Sequence, residues 1–216
     1  MKSINHHLTD QLLMGYSAGS LPEAFNLVVA THVSLCDDCR ARMHEFDAVG
    51  GVLMDEAGIE AVSDDCLAAT MALIAAAPAE VKLAPAPSLS AVFPIPLQDY
   101  VGGDLDAVEW RRIGGGVSQA VLQTSDAATV RLLRIPAGVA VPDHGHRGME
   151  LTLVLQGAFR DETDRFGPGD IEVANEDMVH QPVAEAGLDC ICLSATDAPL
   201  RFSGILPRMA QRVFGI

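Results

Sequence analysis

Three side chains that can bind a metal ion lie within eight residues near the start of the chain. The sequence His32-Val33-Ser34-Leu35-Cys36-Asp37-Asp38-Cys39 has the pattern H-x-x-x-C-x-x-C. A tight turn between the two cysteines can bring both thiolates to the same side of one ion. His32 precedes Cys36 by four positions, so the two side chains share one face if the segment is helical. Imidazole combined with thiolate suits zinc. The pattern therefore predicts three of the four ligands of a tetrahedral zinc site.

The fourth ligand must come from elsewhere in the chain. His6 and His7 are the candidates, because Cys66 lies beyond two predicted turns. A structural zinc site would supply much of the folding free energy of a helical domain of this size, since small zinc peptides gain about 10–16 kcal/mol from the metal. The alternative interpretation is a surface histidine beside two incidental thiols.

A second group of possible metal ligands lies in the other half of the chain. His144 and His146 alternate by two, so on a strand both side chains point to one face, and Glu150 follows four residues later. His180 is the only histidine that remains in this half to complete the set. Three imidazoles and a carboxylate form a facial set for a divalent metal. The alternative is a rim of solvated polar residues on a loop.

The elements that must position these two groups differ in type. Up to about residue 77, apolar residues recur at helical spacing, and we expect four helices. The first begins at Asp10 after a Thr9 cap, and the second follows a Ser20-x-x-Glu23 capping box. The third runs from about Cys39 to Val49 before Gly50-Gly51, and the fourth starts after Ser63.

Residues 78–96 are rich in proline and alanine and predict a linker or extended arm. After residue 95, short apolar runs separated by glycine turns predict many strands in a sandwich or barrel. The expected strands are 117–122, 129–135, 151–155, 171–174 and 190–193. The sequence thus predicts an α+β chain of two domains, an all-α zinc-binding domain over residues 1–85 and an all-β domain with its linker over residues 86–216.

The chain is strongly acidic, with a formal net charge of -15 over 216 residues. Such a charge argues against direct binding to nucleic acid and favours a basic partner. Residues 1–85 contain 12 acidic and four basic residues, so the helical part carries more negative charge per residue than the rest. We therefore expect the helical part to face that partner.

The remaining composition points to a cytoplasmic protein. No apolar signal region follows Met1, and the longest apolar run is too short to span a bilayer, so we expect no membrane contact. The five cysteines are an odd number, and in a reducing compartment close pairs favour metal or redox chemistry over disulfides. Cys190 and Cys192 share one face of a strand, either as small core residues or as a redox pair near the metal. We expect Cys66 to be a buried helix cysteine.

Two family resemblances cover nearly the whole chain. Gly138, His144, His146, Glu150 and Gly157 match every fixed position of the first cupin motif. The second motif is partial. Gly169 and His180 are present, whereas Asn175 and Asp177 replace the usual proline and glycine, and Ala184 replaces the usual asparagine. The N-terminal part resembles zinc-binding anti-sigma domains, in which a distant histidine, matched here by His6, joins His32, Cys36 and Cys39.

An anti-sigma zinc domain followed by a cupin is similar to the ChrR-type anti-sigma factors. The resemblance implies that residues 1–85 bind and occlude an extracytoplasmic-function-type sigma factor, as a 1:1 heterodimer in the cytoplasm. It also implies a cupin barrel whose second divalent metal, zinc by resemblance, is needed to release the sigma factor in response to singlet oxygen. The rival function is a metal-dependent dioxygenase or isomerase, because many cupins with such ligands are enzymes and an open coordination position would permit catalysis. No further general acid or base stands at an informative spacing, and an enzyme would leave the zinc domain unexplained.

Overall fold

The computed structural model describes residues 3–77 and 91–202. Helices occupy the N-terminal part of the described chain, and strands follow. The helices are α1 (Asp10–Ser17), α2 (Glu23–Leu35), α3 (Asp37–Glu56), α4 (Cys66–Ala76) and α5 (Ile95–Val101), followed by a 3₁₀ turn at Leu105–Ala107. The predicted boundary at residue 85 lies outside the described residues.

The cap of α1 confirms the sequence-based prediction, whereas the cap of α2 corrects it. Thr9 caps α1 as predicted, and its hydroxyl accepts a hydrogen bond from the amide of Leu12. Ser20 does not cap α2, because its hydroxyl donates to the carbonyl of Gly15 instead and the helix begins after Pro22 with no side-chain cap.

Both predicted ends of α3 were wrong. This helix starts earlier than predicted, at Asp37, where the sulfur of Cys36 accepts a hydrogen bond from the amide of Cys39. It also runs through Gly50 and Gly51 to Glu56. Glycine in a helix interior costs only about 1 kcal/mol relative to alanine, so two glycines weaken this helix without ending it. Helix α5 was not predicted, because prolines at positions 94 and 96 marked this stretch as linker, yet proline is accepted in the first helical turn.

The strands form one large sheet and two small ones, as expected for a cupin barrel. They are β1 (Arg111–Gly114), β2 (Val117–Leu122), β3 (Thr129–Ile135), β4 (His144–Gly145), β5 (Glu150–Gln156), β6 (Phe159–Arg160), β7 (Arg165–Phe166), β8 (Ile171–Ala174), β9 (Val179–His180), β10 (Val183–Ala184), β11 (Cys190–Thr196) and β12 (Arg201–Phe202). The large sheet is antiparallel with the order β1-β2-β3-β11-β5-β8, and the small sheets have the orders β10-β6-β7 and β12-β4-β9. All five predicted strands are confirmed, with bounds that differ by up to three residues.

The helical part and the barrel share one hydrophobic core. Side chains alternate across β11, so Ile191, Leu193 and Ala195 belong to the cluster that also contains Phe25 and Val29 of α2. Helix α2 lies against β11, β5 and β3 and also packs against α1, α3 and α5. The other face of β11, which carries Cys190, Cys192 and Ser194, points into the barrel. The central strands β5 and β11 are therefore buried on both faces, by helices outside and by the barrel interior inside.

The segment before α1 holds the helical part against the barrel. The carboxylate of Asp170, which is buried at the β7–β8 turn, accepts hydrogen bonds from the backbone amides of Asn5 and His6 at 2.6 and 3.0 Å. Ile4 packs over Gly169, where an added Cβ would lie 2.7 Å from its side chain and where φ is +94°. A side chain at this position would both clash and strain the backbone, so the close approach of the two parts requires glycine here.

The end of α3, the following loop and α4 are exposed to solvent. Every residue from 47 to 77 is exposed. We call residues 49–76 the apolar arm, because large hydrophobic side chains recur along it. Those at 56–102% exposure are Val49, Val52, Leu53, Met54, Ile59, Val62, Leu67, Met71, Leu73 and Ile74. Cys66 also lies exposed here, so the expectation that it is buried was wrong.

Within residues 3–77 and 91–202, no helix combines the length and the apolar character needed to cross a bilayer.

Candidate metal centres

The first centre joins residues from three elements of the helical part. His7 lies just before α1, His32 lies in the last turn of α2, and Cys36 and Cys39 lie at the start of α3. One ligand atom from each of these four residues lies within 4.8 Å of every other. His32 and Cys39 are fully buried and Cys36 is nearly so. The four side chains therefore converge on one point in the core, although they span 33 residues of sequence.

The separations between these atoms fit one bound ion. Nδ1 of His7 lies 3.2 Å from Sγ of Cys36 and 3.7 Å from Sγ of Cys39, and Nε2 of His32 lies 3.3 Å from Sγ of Cys39. In a tetrahedral zinc site, with bonds of about 2.0–2.3 Å, a nitrogen and a sulfur ligand lie about 3.5 Å apart. The spacing and the donor types thus fit zinc, with two imidazoles and two thiolates.

His6, the fourth ligand that the resemblance implied, does not belong to this group. Its Nε2 lies 3.2 Å from Oδ2 of Asp164, its Nδ1 lies 3.5 Å from Oδ1 of Asp170, and its ring lies against Phe166 with centroids 4.3 Å apart. In the structure the adjacent His7, and not His6, lies among His32, Cys36 and Cys39. Because the segment is extended, successive side chains point in opposite directions, and His6 faces the barrel while His7 faces the cysteines.

Burial changes the protonation of the first centre when no metal is bound. Burial lowers the pKa of His32 to about 4, so its imidazole is neutral at physiological pH and its lone pair is available. Burial, together with neighbouring Cys36, raises the pKa of the Cys39 thiol to about 11. Metal binding at neutral pH must therefore displace a proton from Cys39 but none from His32.

The second centre lies inside the barrel, and the short strands β4 and β9 position it. His144 and His180 are directly opposite in this antiparallel pair, and His146 follows β4. One ring nitrogen of each histidine lies within 4.8 Å of the others, and all three residues are buried. Glu150, the first residue of β5, is buried beside them, with Oε2 at 3.2 Å from Nδ1 of His146. All four predicted residues are thus close neighbours, with the three histidines forming the tighter group.

Hydrogen bonds fix the tautomers of two of these histidines. Nδ1 of His144 lies 2.9 Å from the carbonyl of Pro142, and Nδ1 of His180 lies 2.9 Å from Asp161 and 3.1 Å from Glu172. The carbonyl and the ionised carboxylate of Asp161 can only accept, so each Nδ1 carries a proton and each Nε2 faces the centre. Burial lowers the pKa of His180, but its contacts with Glu172 and Asp161 outweigh this and raise the pKa to about 9, so a metal would displace a proton from its Nε2. The two Nε2 atoms face each other at 3.2 Å, a separation that either a shared proton or a bound cation can bridge. Two nitrogens bound to one tetrahedral ion at about 2.05 Å lie about 3.3 Å apart, which fits.

Two more observations at this centre fit a cation. Both ring nitrogens of His146 and Oε2 of Glu150 are buried and have no hydrogen-bond partner within the described residues, and the close approach between these two side chains lacks hydrogen-bond geometry. Burial raises the pKa of Glu150, but its contacts with His146 and the neighbouring histidines and its hydrogen bond from Ser194 outweigh this and lower the pKa to about 2. The carboxylate is therefore ionised and can act as a ligand.

The carboxylates that orient His180 were not predicted. Asp161 lies in the β6–β7 turn, 19 residues before the histidine, and no sequence pattern links the two. Glu172 follows Gly169 on β8 and faces inward by alternation, which was a weak signal in the sequence. Burial raises the pKa of Glu172 to about 7, although contact with His180 opposes the rise. Asp161, Glu172 and His180 could also hold an ion themselves. The hydrogen bonds of the two carboxylates with Nδ1 of His180 favour instead a role in orienting the imidazole ring.

Comparison with known proteins agrees with this architecture. Residues 98–198 match the family described as the ChrR cupin-like domain. The chain is 59% identical over 215 residues to the anti-sigma-E factor ChrR of Cereibacter sphaeroides, covering 99% of this chain and 100% of that protein. This chain belongs to the ChrR family of anti-sigma factors. The crystal structure of Rhodobacter sphaeroides SigE in complex with the anti-sigma ChrR superposes with a TM-score of 0.76 at 59% identity, over 90% of this chain and 100% of that chain.

Family membership at this identity confirms the cupin fold and supports a regulatory role rather than the rival enzymatic one. The His and Cys groups support bound metal in this ChrR-family chain, without fixing which metal it is.

Proposed function

We propose that this protein is an anti-sigma factor that binds one extracytoplasmic-function-type sigma factor in the cytoplasm and keeps it from acting. The observation that carries the proposal is the 59% identity along the full chain to ChrR, an anti-sigma-E factor that has been crystallised with SigE. The resemblance extends through both parts of the chain, so it includes the elements that would bind the sigma factor and those that would respond to a signal.

The apolar arm is the surface best suited to the sigma factor. Helix α4, Cys-Leu-Ala-Ala-Thr-Met-Ala-Leu-Ile-Ala-Ala, contains no charged residue, and none of its residues is buried. Exposed apolar patches of this extent mark interaction sites. Acidic side chains lie between the two apolar stretches, at positions 55, 56, 60, 64 and 65. An arm that is apolar and acidic suits a partner with an apolar groove and a basic surface, as expected of a DNA-binding protein.

The first centre would be a structural zinc site. His7, His32, Cys36 and Cys39 link the N-terminal segment to the junction of α2 and α3, and α3 leads directly into the apolar arm. Zinc there would fix the direction in which the arm leaves the core. Its loss would therefore lower sigma-factor affinity through misplacement of the arm, besides lowering stability.

The second centre would serve the response. We propose that His144, His146, Glu150 and His180 hold a divalent metal, with zinc as the first candidate, and that this centre is needed to release the sigma factor after oxidative stress by singlet oxygen. Support comes from the facing Nε2 atoms and from the orphaned nitrogens of His146. The shared core gives a physical route, because a change inside the barrel reaches α2 across β11 and β5.

Complex formation with purified proteins tests the proposal. The sigma factor of the same cell that is most similar to SigE is mixed with the full chain, and size-exclusion chromatography with light scattering measures the mass. We expect a 1:1 complex. The variant Met71→Glu/Ile74→Glu should fail to form it, whereas Val179→Glu, which changes an equally exposed hydrophobic residue on the barrel, should form it normally. Separate elution of the wild-type proteins at micromolar concentration would refute the proposal.

A further inference from the structure

The turn that joins β7 to β8 holds the segment that carries one ligand of the first centre. The buried carboxylate of Asp170 accepts hydrogen bonds from the backbone amides of Asn5 and His6. The amide of Ile171, the next residue, donates to the carbonyl of His6 at 3.4 Å. The barrel therefore holds the backbone immediately before His7, and it thereby sets where the His7 imidazole lies relative to the cysteines.

The same turn also acts on a second ligand of the first centre. Burial lowers the pKa of His32, and the backbone of Gly169 and the carboxylate of Asp170 both oppose this effect, so the ring lies beside the turn. Its Nδ1 is buried and has no hydrogen bond of good geometry within residues 3–77 and 91–202. A histidine that binds metal through Nε2 usually donates its Nδ1–H to a carbonyl or a carboxylate. The turn offers one of each, so metal binding should draw His32 and the turn together.

The residues that follow the turn reach the second centre. Glu172, two residues after Asp170, is buried, and its Oε1 lies 3.1 Å from Nδ1 of His180. Ile171, which lies between the two carboxylates in sequence, is buried in the core that the helices share with the barrel. Two residues of extended chain span about 7 Å. Residues 169–172, which we call the connecting stretch, therefore contact ligands of both centres over a short distance.

We propose that the connecting stretch couples the two metal centres, so that a metal ion bound at one centre raises the metal affinity of the other. Asp170 and Glu172 are positioning residues in this account, because neither belongs to the ligand set of either centre. The inference rests on the proposed function in one respect, since both centres must hold metal, and it adds communication between them.

The coupling follows from the cost of ordering an element that the two centres share. When its Nε2 binds a metal, the His180 ring is fixed, and through Nδ1 it fixes Glu172. With β8 fixed, the backbone that holds His7 and lies beside His32 is already in place when the first centre binds its ion. Coupling between two sites usually corresponds to factors of about 5 to 150 in affinity, and the effect is equal in both directions.

Titration of the full chain with cobalt(II) tests the proposal. Cobalt bound to thiolate absorbs strongly through charge transfer, and the second ligand set contains no cysteine, so this absorption reports the first centre alone. Affinity is measured by competition with a chelator, both in the wild-type chain and in His144→Ala/His146→Ala, which lacks the second centre. We expect the first centre to bind cobalt at least about fivefold more tightly in the wild type.

Variants of the connecting stretch should remove this difference while both ligand sets stay intact. In Asp170→Ala and in Glu172→Ala, the affinities with and without the second centre should agree within about twofold. Asp170→Asn should retain the difference, because its Oδ1 can still accept both backbone amides. Asp104→Ala is the matched control. It removes a carboxylate that accepts the amides of Val92 and Phe93 at 3.0 and 2.9 Å, outside the connecting stretch, and it should keep the full difference.

Two results would overturn the proposal. One is equal affinity of the first centre in the wild type and in His144→Ala/His146→Ala, and the other is a difference that survives in both Asp170→Ala and Glu172→Ala. The first comparison needs no variant of the connecting stretch, so it can overturn the proposal even if those variants do not fold.

Metal analysis separates this inference from the proposed function on which it rests. Two cobalt ions per wild-type chain together with equal affinities would refute the coupling alone. A single ion per wild-type chain would refute the second centre as well as the coupling. No sigma factor is present in the assay, so neither result depends on the proposed binding of a sigma factor.

Discussion

Replacement of His7 by alanine should remove zinc from the first centre, whereas replacement of its neighbour His6 should not. The two residues are adjacent in sequence, but only His7 lies among His32, Cys36 and Cys39. Structural zinc contributes about 10–16 kcal/mol through four ligands, so one ligand accounts for about 2.5–4 kcal/mol. A factor of ten corresponds to about 1.4 kcal/mol, so zinc affinity in His7→Ala should fall by about 60-fold to 700-fold.

His6→Ala is the matched control. It removes contacts with Asp164 and Asp170, and the first of these carboxylates is largely exposed, so the ion pair itself contributes little. Loss of packing on Phe166 should lower stability slightly, while zinc affinity stays within about threefold of wild type.

The measurement is competition for zinc against a chromophoric chelator, made in the His144→Ala/His180→Ala background so that only the first centre is titrated. Circular dichroism then reports whether the helical part stays folded. If His6→Ala lost zinc while His7→Ala retained it, the ligand set derived from the geometry would be refuted. Equal affinity in both variants would show that neither residue completes the site.

Three further predictions concern proton release, the apolar arm and the contact between the two parts. Because the pKa of the Cys39 thiol is raised to about 11, zinc binding displaces its proton at every pH below that value. Zinc affinity should therefore rise about tenfold per pH unit between pH 7 and 9 through this thiol alone. Calorimetry in buffers of different ionisation enthalpy should detect the released proton, and a zinc affinity independent of pH would contradict this prediction. Met71→Glu/Ile74→Glu should weaken sigma-factor binding by at least 100-fold, since burying two such side chains in the complex contributes about 3–6 kcal/mol. The thermal midpoint of the free protein should stay unchanged, and a lowered midpoint would place these side chains in its core instead. Asp170→Ala should lower the free energy of unfolding by about 3 kcal/mol in urea titrations, because the backbone amides of the N-terminal segment lose their buried hydrogen-bond acceptor. An effect below about 0.5 kcal/mol would mean that this contact does not hold the two parts together.

Local patterns predicted much of this fold. Strand β5 carries its alternation and its turn glycine in the sequence, and α1 carries its cap, so both were predicted with nearly correct bounds. The bounds of α3 failed because intrinsic propensity disfavours glycine by only about 1 kcal/mol each, which the rest of a 20-residue helix outweighs. No local pattern could show that α2 packs on the outer face of the large sheet, since that contact joins residues more than 100 positions apart.

The candidate sites, too, were predicted where their residues lie close together in sequence and not where they lie far apart. His32, Cys36 and Cys39 lie within eight residues, so spacing alone was enough to group them. The choice between His6 and His7 depends on which side of an extended segment faces the cysteines, and Asp170 sets this by fixing the backbone from 164 residues away.

The central claim is that this protein silences a sigma factor, and transcription with purified components tests it most directly. RNA polymerase core enzyme, the cognate sigma factor and a template carrying its promoter are assembled, and the full chain is titrated against transcript yield. The account predicts that transcription stops when the chain equals the sigma factor in concentration, and that Met71→Glu/Ile74→Glu restores it. Undiminished transcription at a tenfold excess of wild-type protein would contradict the account.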